Sequence, residues 1–166
     1  MQPPAKRGAR NQESVVPDQP TPQGPEPLNI LFAEDDRVAA ELVMDAFARD
    51  PGLTVLYAAD GGAALSLIQR EKLAAAVLDI RMPVLDGLYL LLTIREDPRT
   101  ATLPVVLLTS LGSEADVIRG FELGADDYVV KPCSPPELVA RVQRLLGRRP
   151  SGRQSRSVRG PDTESP

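Results

Sequence analysis

Hydrophobic and polar positions alternate between two periods along residues 28–147. Short apolar runs, typical of buried strands, are each followed by polar or turn-forming residues and then by apolar residues three or four positions apart, the spacing of an amphipathic helix. The runs predict strands at Leu28–Ala33, Leu53–Ala58, Ala75–Asp79, 103–108 and 128–130. The helical spacing is marked after the successive strands by Val38, Leu42 and Phe47, by Ala64 and Ile68, by Leu88 and Leu91, by Val117 and Phe121, and by Leu138 and Val142.

Five strands that alternate with five helices predict βα units and a parallel sheet with helices on both faces, a doubly wound α/β fold. The run before Asp79 is apolar throughout, as expected for a strand buried on both faces. Two helix starts also carry cap signals. Asp36 is of a type that favours the N-cap, and Ser134 with Glu137 forms a capping-box pattern around Pro135 at the first helical position.

The flanks of this region have a different composition. Residues 1–27 contain seven prolines among polar residues, and residues 148–166 contain five arginines with Ser, Gly and Pro. Such segments bury too little apolar surface to offset their ordering entropy, so we expect both to be disordered. The predicted organisation is a Pro-rich tail at 1–27, one domain at 28–147, and an Arg-rich tail or linker at 148–166.

The charge of the predicted domain limits the classes of partner that it can bind. The whole chain carries a net charge of −4, whereas residues 28–147 hold 11 basic and 18 acidic residues. An acidic domain argues against a duplex-binding surface, because nucleic-acid affinity rests largely on cations that neutralise phosphates.

Cys133 is the one cysteine of the chain, which excludes an intrachain disulfide and fits a reducing compartment. Without an apolar run of roughly 18 residues or a secretory h-region, we expect a soluble cytoplasmic protein with no membrane partner.

Chemically reactive side chains follow four of the five predicted strands. Ligands of open α/β sheets bind beyond the carboxyl ends of the strands, which meet at one edge. The candidates at that edge are Glu34 and Asp35 after the first strand, Asp79 at the end of the third, Thr109 and Ser110 after the fourth, and Lys131 after the fifth.

This set is suited to phosphoryl chemistry. Clustered carboxylates repel one another unless a cation lies among them, and hard oxygen ligands suit Mg²⁺. A nucleophilic carboxylate would form an acyl phosphate, with Lys131 and Thr109 available to stabilise the phosphoryl oxygens. Taken singly, Asp79 could cap a turn, Thr109 could begin a helix, and Lys131 could be a solvated loop residue. Their joint position at alternate strand ends favours the phosphoryl site.

Four motifs occur in order along the predicted domain: AEDD after the first strand, LDIRMPVLDG around the third, LLTS after the fourth and GADDYVVKP before the last helix. With these motifs, residues 28–147 resemble the receiver domain of two-component response regulators. The resemblance implies a flavodoxin-like and CheY-like fold with sheet order 2-1-3-4-5. It also implies a phosphoprotein of phosphorelay signal transduction that is not an enzyme, although it catalyses part of its own phosphorylation and dephosphorylation.

The same resemblance implies roles at the carboxyl edge. Asp79 would be the phospho-acceptor. Glu34 and Asp35 would be the acid pair that holds Mg²⁺, with Asp35 as the direct ligand and Asp79 and the backbone carbonyl of Arg81 as further ligands. Lys131 would contact the phosphoryl group.

The resemblance further implies a switch. The Thr109 hydroxyl would turn toward the phosphoryl group, and the aromatic ring of Tyr128 would change its packing with it. The bond between Lys131 and Pro132 is expected to be cis. The family usually has Phe where this chain has Cys133, so the resemblance does not predict how the last loop packs.

Partners follow from the same reasoning. The chain contains no histidine, so the phosphoryl donor must be another molecule, a sensor histidine kinase or a histidine phosphotransfer protein. The effector would bind the face made by the fourth helix, the fifth strand and the fifth helix, and a phosphorylation-linked homodimer is a further alternative. In this family the positions two residues beyond the acceptor and the switch hydroxyl influence how water reaches the acyl phosphate, so the resemblance implies that a large Arg81 and an apolar Leu111 slow self-dephosphorylation.

Two rival functions remain at this point. The first is a Mg²⁺-dependent phosphatase or phosphotransferase with an aspartyl nucleophile, which generally needs a second acid where this chain has Arg81, and Arg cannot serve as an acid. The second is a domain of the same fold that has lost phosphorylation. The joint presence of Asp35, Asp79, Thr109 and Lys131 weighs against it.

Overall fold

A computed structural model describes residues 25–110 and 114–147 of the chain. Within these ranges five strands alternate with five helices. They are β1 (Leu28–Ala33), α1 (Arg37–Phe47), β2 (Leu53–Ala58), α2 (Gly61–Arg70), β3 (Ala75–Asp79), α3 (Gly87–Glu96), β4 (Val105–Ser110), α4 (Glu114–Glu122), β5 (Asp127–Lys131) and α5 (Pro135–Leu145). The predicted tails, except residues 25–27, and Leu111 lie outside the described residues. None of the described helices is long and apolar enough to cross a bilayer.

The five strands form one parallel sheet in the order β2-β1-β3-β4-β5, which confirms the predicted doubly wound α/β fold. Alternate residues of each strand point to opposite faces and build two aliphatic layers. Leu31 and Leu78 pack in the layer that includes α2 and α3, whereas Ile30 and Val77 pack in the layer that includes α1 and α5. Because β3 lies at the centre of the sheet, all five of its residues are buried, including Asp79.

The fourth strand differs from the predicted range 103–108 and runs from Val105 to Ser110. The Leu103 N–H donates to Thr100 O within a turn, and the following Pro104 has no N–H to give to the sheet. Leu103 is nevertheless buried, which is why its apolar character resembles that of a strand residue. The fifth strand is likewise longer than the predicted 128–130 and includes Lys131. Both strands therefore extend as far as the polar residues at the carboxyl edge of the sheet.

The predicted helix caps are present. The Asp36 carboxylate accepts hydrogen bonds from the N–H groups of Val38 and Ala39 at the start of α1. The Ser134 hydroxyl accepts from the Glu137 N–H at 3.3 Å, while the Glu137 carboxylate pairs with Arg141 one turn along α5. The structure therefore contains the Ser134 half of the predicted capping box.

Side-chain hydrogen bonds of Gln143 and Arg95 tie α5 and α3 to distant loops. Gln143 of α5 donates to the buried Asp50 carboxylate at 2.8 Å, which fixes α5 against the turn after α1. The Arg95 guanidinium of α3 donates to the carbonyls of Ala101 and Leu103 and, at 2.7 Å, to that of Gly124 just beyond α4. It also binds the Asp126 carboxylate, which accepts from the first N–H of β4. Arg95 thus joins α3, β4 and the carboxyl-terminal end of α4.

The turn between β3 and α3 contains the one described non-glycine residue with positive φ. Val84 has φ of +72° and is 76% exposed. The turn also lies very close to α2, because Gly61 donates its N–H to Pro83 O and a Cβ added there would lie 1.9 Å from Leu85 O. A residue larger than glycine at position 61 would push the turn away from the helix.

Candidate functional site

Three acids, two just after β1 and one at the end of β3, lie together at the carboxyl edge of the sheet. Carboxylate oxygens of Glu34, Asp35 and Asp79 fall within 4.8 Å of one another. Glu34 and Asp79 are buried, at 1% and 3% exposure, whereas Asp35 is exposed. All of these donors are oxygens and one side of the cluster opens to solvent, so the arrangement fits a hard cation such as Mg²⁺ that keeps part of its water shell.

The ammonium of Lys131 bridges the two buried acids. Its Nζ donates to Glu34 Oε2 and to Asp79 Oδ2, both at 2.9 Å, across 97 and 52 residues of sequence. Burial raises the pKa of Glu34, although the hydrogen bond from Lys131 opposes that change. Burial alone would lower the pKa of Lys131, but the hydrogen bonds to Glu34 and Asp79 raise it above its usual value. The lysine therefore stays charged and partly neutralises the carboxylates.

The backbone after β3 completes the surroundings of Asp79. The Arg81 N–H donates to Asp79 Oδ1 at 3.2 Å, so each carboxylate oxygen of Asp79 accepts one hydrogen bond. The guanidinium of Arg81 points elsewhere and lies 3.6 Å from the Asp116 carboxylate in the first turn of α4. Sequence reasoning missed Asp116, because nothing in the pattern links two residues 35 positions apart on different elements. The predicted role of the Arg81 carbonyl stays a prediction.

The two predicted switch residues lie on β4 and β5. Thr109 is buried in β4 directly after Leu108, which pairs with Asp79, and its hydroxyl donates to Ser110 O at 3.4 Å. Tyr128 is partly exposed on β5 and meets the ring of Phe121 edge to face, with centroids 5.3 Å apart. The bond between Lys131 and Pro132 is cis, as expected.

Sequence reasoning also missed the contact between Tyr57 and Glu34. The Tyr57 hydroxyl of β2 donates to the Glu34 backbone carbonyl at 2.9 Å. The Glu34 carboxylate in turn accepts the Asp36 N–H at 3.1 Å. Glu34 is therefore held at its backbone and at both carboxylate oxygens, while the neighbouring Asp35 faces solvent. A tyrosine on the edge strand gives no sequence signal for this contact.

Comparison with known proteins identifies relatives over the same region. The family model described as Response regulator receiver domain matches residues 30–143. The chain is 44% identical over 118 residues to Probable transcriptional regulator ycf27 of Cyanophora paradoxa, covering 71% of this chain and 48% of that protein. It is 42% identical over 119 residues to Regulatory protein VanRc of Enterococcus gallinarum, covering 72% and 50%. The chain thus spans about half the length of these curated relatives.

Solved structures agree with the sequence relatives. A putative response regulator from Chloroflexus aurantiacus is similar with a TM-score of 0.68 and 39% identity, over 74% of this chain and all of that one. The receiver domain of the Francisella response regulator 1452 is similar with a TM-score of 0.65 and 36% identity, over 72% and 97%. The parallel sheet, the acidic cluster at its carboxyl edge and these matches lead to one conclusion: the chain belongs to the response regulator receiver domain family of two-component signalling.

Proposed function

We propose that Asp79 accepts a phosphoryl group from a phosphohistidine of a sensor histidine kinase or a histidine phosphotransfer protein. An oxygen of the Asp79 carboxylate attacks phosphorus, the phosphorus–nitrogen bond breaks, and the donor imidazole leaves and takes up a proton. The product is an acyl phosphate, whose formation and hydrolysis this chain assists without acting as a conventional enzyme. The Lys131 ammonium is positioned to bind a phosphoryl oxygen, because it already binds Asp79 Oδ2.

The observation that carries this proposal is the position of the Asp79 carboxylate. It ends the central strand, is 3% exposed, and is bound by Lys131 and by the Arg81 N–H within an acidic cluster that opens to solvent at Asp35. Aspartates that only cap a turn do not need a lysine partner from a strand 52 residues away. A nucleophilic carboxylate does need a cation to offset the charge that develops on the phosphoryl oxygens.

Intact-mass measurement tests the proposal directly. We expect incubation with acetyl phosphate and Mg²⁺ to add about 80 Da, the mass of one phosphoryl group, to the wild-type protein. Asp79→Asn should show no adduct. Asp86→Asn is the matched control, because Asp86 lies on the same loop but caps α3, and Asn is an equally good N-cap. An adduct of equal yield in Asp79→Asn would contradict the assignment.

The same assay separates the rival functions. A phosphatase or phosphotransferase would turn over acetyl phosphate steadily without keeping an adduct, and a domain that has lost phosphorylation would show neither. The structure supports the receiver over the enzyme, because the Arg81 side chain, at the position where such enzymes generally carry an acid, pairs with α4. A lasting adduct is the result that we expect.

We also propose that Mg²⁺ binds Glu34, Asp35, Asp79 and the Arg81 carbonyl, with Asp35 as a direct ligand. When bound, the cation would neutralise phosphoryl oxygens during transfer. Binding should raise the thermal stability, by about 1.4 kcal/mol at a concentration ten times the dissociation constant. Asp35→Asn should lose this increase, whereas the adjacent Asp36→Asn should keep it, because Asp36 caps α1. An equal increase in all three proteins would contradict the ligand set.

The donor protein needs a surface beside Asp79, and α1 supplies one. Val38 is 70% exposed and Leu42 is also exposed, although both are apolar. Leu42 borders a cavity of about 430 Å³ between α1 and α5 that is also lined by Cys133 and Lys131. We place the donor protein on this surface. Val38→Ser with Leu42→Ser should then slow transfer from a histidine kinase relative to transfer from acetyl phosphate, and equal slowing with both donors would contradict the placement.

The effector would bind the face of α4, β5 and α5. Ile118, Phe121 and Tyr128 are exposed there beside the ion pairs of Asp127 with Arg141. Movement of Thr109 toward the phosphoryl group would repack Tyr128 against Phe121. Phosphorylation should therefore shift the amide resonances of α4 and β5, and Asp79→Asn should show no such shift. Light scattering of the same samples tests whether this face also forms a phosphorylation-linked homodimer.

The domain limits and location complete the proposal. We assign residues 28–147 to the receiver, and residues 1–27 and 148–166 to a tail and a linker, and we place the protein in the cytoplasm. The relatives named Probable transcriptional regulator ycf27 and Regulatory protein VanRc are about twice as long as the matched region, which supports a further output region in a full regulator. Limited proteolysis followed by mass spectrometry should leave a fragment close to 28–147, and cleavage within it would contradict these limits.

A further inference from the structure

Arg81 joins the acceptor site to α4. Its backbone N–H binds Asp79 Oδ1 at 3.2 Å, but its guanidinium Nη2 lies 3.6 Å from Asp116 Oδ2. The Arg81 side chain is 72% exposed and that of Asp116 is 30% exposed. The guanidinium is thus held at the first turn of α4 and away from the carboxylate to which the same residue donates its N–H.

Phosphorylation would create a second anion beside the residue that carries this guanidinium, because Arg81 already donates its N–H to Asp79. A phosphoryl group adds close to two negative charges, and guanidinium pairs well with phosphoryl oxygens. The pair with Asp116 is long, at 3.6 Å, and its guanidinium is largely in solvent, so the pair is weak and can exchange. Asp116 and a phosphoryl group on Asp79 would compete for one cation that is attached two residues from the acyl phosphate.

We propose that Asp116 is a positioning residue for Arg81 and thereby shortens the lifetime of the acyl phosphate. The inference rests on the proposed phosphorylation of Asp79. In hydrolysis a water oxygen bonds to phosphorus and the bond between phosphorus and Asp79 breaks. The electron pair returns to the carboxylate, and inorganic phosphate leaves with release of a proton. A guanidinium on the phosphoryl oxygens obstructs that water, and a guanidinium bound to Asp116 leaves its path open.

The decay of phosphorylated protein measures this effect. Protein phosphorylated with acetyl phosphate is freed of donor by gel filtration, and loss of the mass adduct is followed at constant Mg²⁺. Asp116→Asn should lengthen the half-life about two- to fivefold, the range expected from an exposed ion pair. Asp116→Glu should restore decay close to that of the wild type. Glu114→Gln is the matched control, because it removes one charge from the same turn of α4 and Glu114 has no ion-pair partner among the described residues.

A double variant separates positioning from a general effect on α4. Arg81→Ala should shorten the half-life, and adding Asp116→Asn to Arg81→Ala should change nothing further. A half-life of Asp116→Asn equal to that of the wild type would overturn the inference. So would an effect that persists without Arg81, because Asp116 would then act through the helix. If the wild-type protein forms no adduct at all, the proposed function fails as well, and the mass spectrum taken before the decay series shows which of the two has failed.

Discussion

The positive φ of Val84 predicts that glycine is better than alanine at this one exposed position. The left-handed region costs an L-residue about 1–2 kcal/mol, and a β-branched residue is seldom found there. Alanine removes most of the Val84 side chain but keeps that cost, whereas glycine relieves it. Glycine also raises the entropy of the unfolded chain, which offsets about 0.4–1 kcal/mol of the stability gained by relieving the backbone cost. Val84→Gly should therefore exceed Val84→Ala in free energy of unfolding by about 0.8 kcal/mol.

Val38 supplies the control for this comparison. It is a valine of similar exposure, 70% against 76%, but it lies in α1. There alanine should exceed glycine by about 0.8–1 kcal/mol, because glycine is the poorer helix former. Urea unfolding of the four variants, followed by far-UV circular dichroism, gives both differences, and comparing alanine with glycine at each site cancels the loss of the valine side chain. The reasoning is refuted if alanine is the more stable residue at both positions.

Three further positions, Gly61, Gln143 and Cys133, carry the remaining predictions, each with a measurement. Gly61→Ala should lower the free energy of unfolding by about 1–3 kcal/mol, because the added Cβ clashes with the β3–α3 turn. Gly62→Ala is the control: the nearest atom to its added Cβ lies at 3.2 Å, and the free energy of unfolding should stay unchanged or rise by up to about 1 kcal/mol. Equal melting temperatures of the two variants would contradict this prediction. Gln143→Leu removes a hydrogen bond to a buried carboxylate and should cost about 1.5–3 kcal/mol in urea unfolding, against about 0.5 kcal/mol or less for the exposed Gln69→Leu. Burial raises the pKa of the Cys133 thiol, so its thiolate fraction should be smaller in the folded than in the unfolded chain at every pH up to its usual pKa of 9.0. Iodoacetamide labelling at pH 8 should accordingly be slower in the native protein than in urea, and equal rates would contradict the raised pKa.

The alternating strands and helices and the acidic edge were predictable because they depend on pattern and spacing, whereas the strand order followed from the family resemblance. The apolar run before Asp79 indicated a strand buried on both faces, and that strand lies at the centre of the sheet. The start of β4 was wrong by two residues, because Leu103 is as apolar as a strand residue although its N–H belongs to a turn. The apolar character of a residue indicates that it is buried. Whether a buried residue belongs to a turn or to a strand depends on its hydrogen-bond partner, which the sequence does not give.

Contacts between distant elements were beyond the sequence pattern. The resemblance predicted that Lys131 contacts a phosphoryl group, but its simultaneous binding of Glu34 and Asp79 depends on side-chain geometry at three strand ends. The pairing of Arg81 with Asp116 depends on where α4 lies against the sheet. The left-handed backbone at Val84 has no local signal either, because valine is a residue that usually avoids it.

The hydrogen bonds of Arg95 give the two ends of α4 unequal stiffness. At the carboxyl-terminal end, the Arg95 guanidinium binds the Gly124 carbonyl through two nitrogens and anchors it to the start of β4. At the amino-terminal end, the exposed contact of Asp116 with Arg81 is far weaker. A force applied from the carboxyl edge of the sheet would therefore tilt α4 about a pivot near Gly124 more readily than it would slide the helix along the sheet. The largest displacement would fall on the first turn of α4, the part of the helix that contacts Arg81.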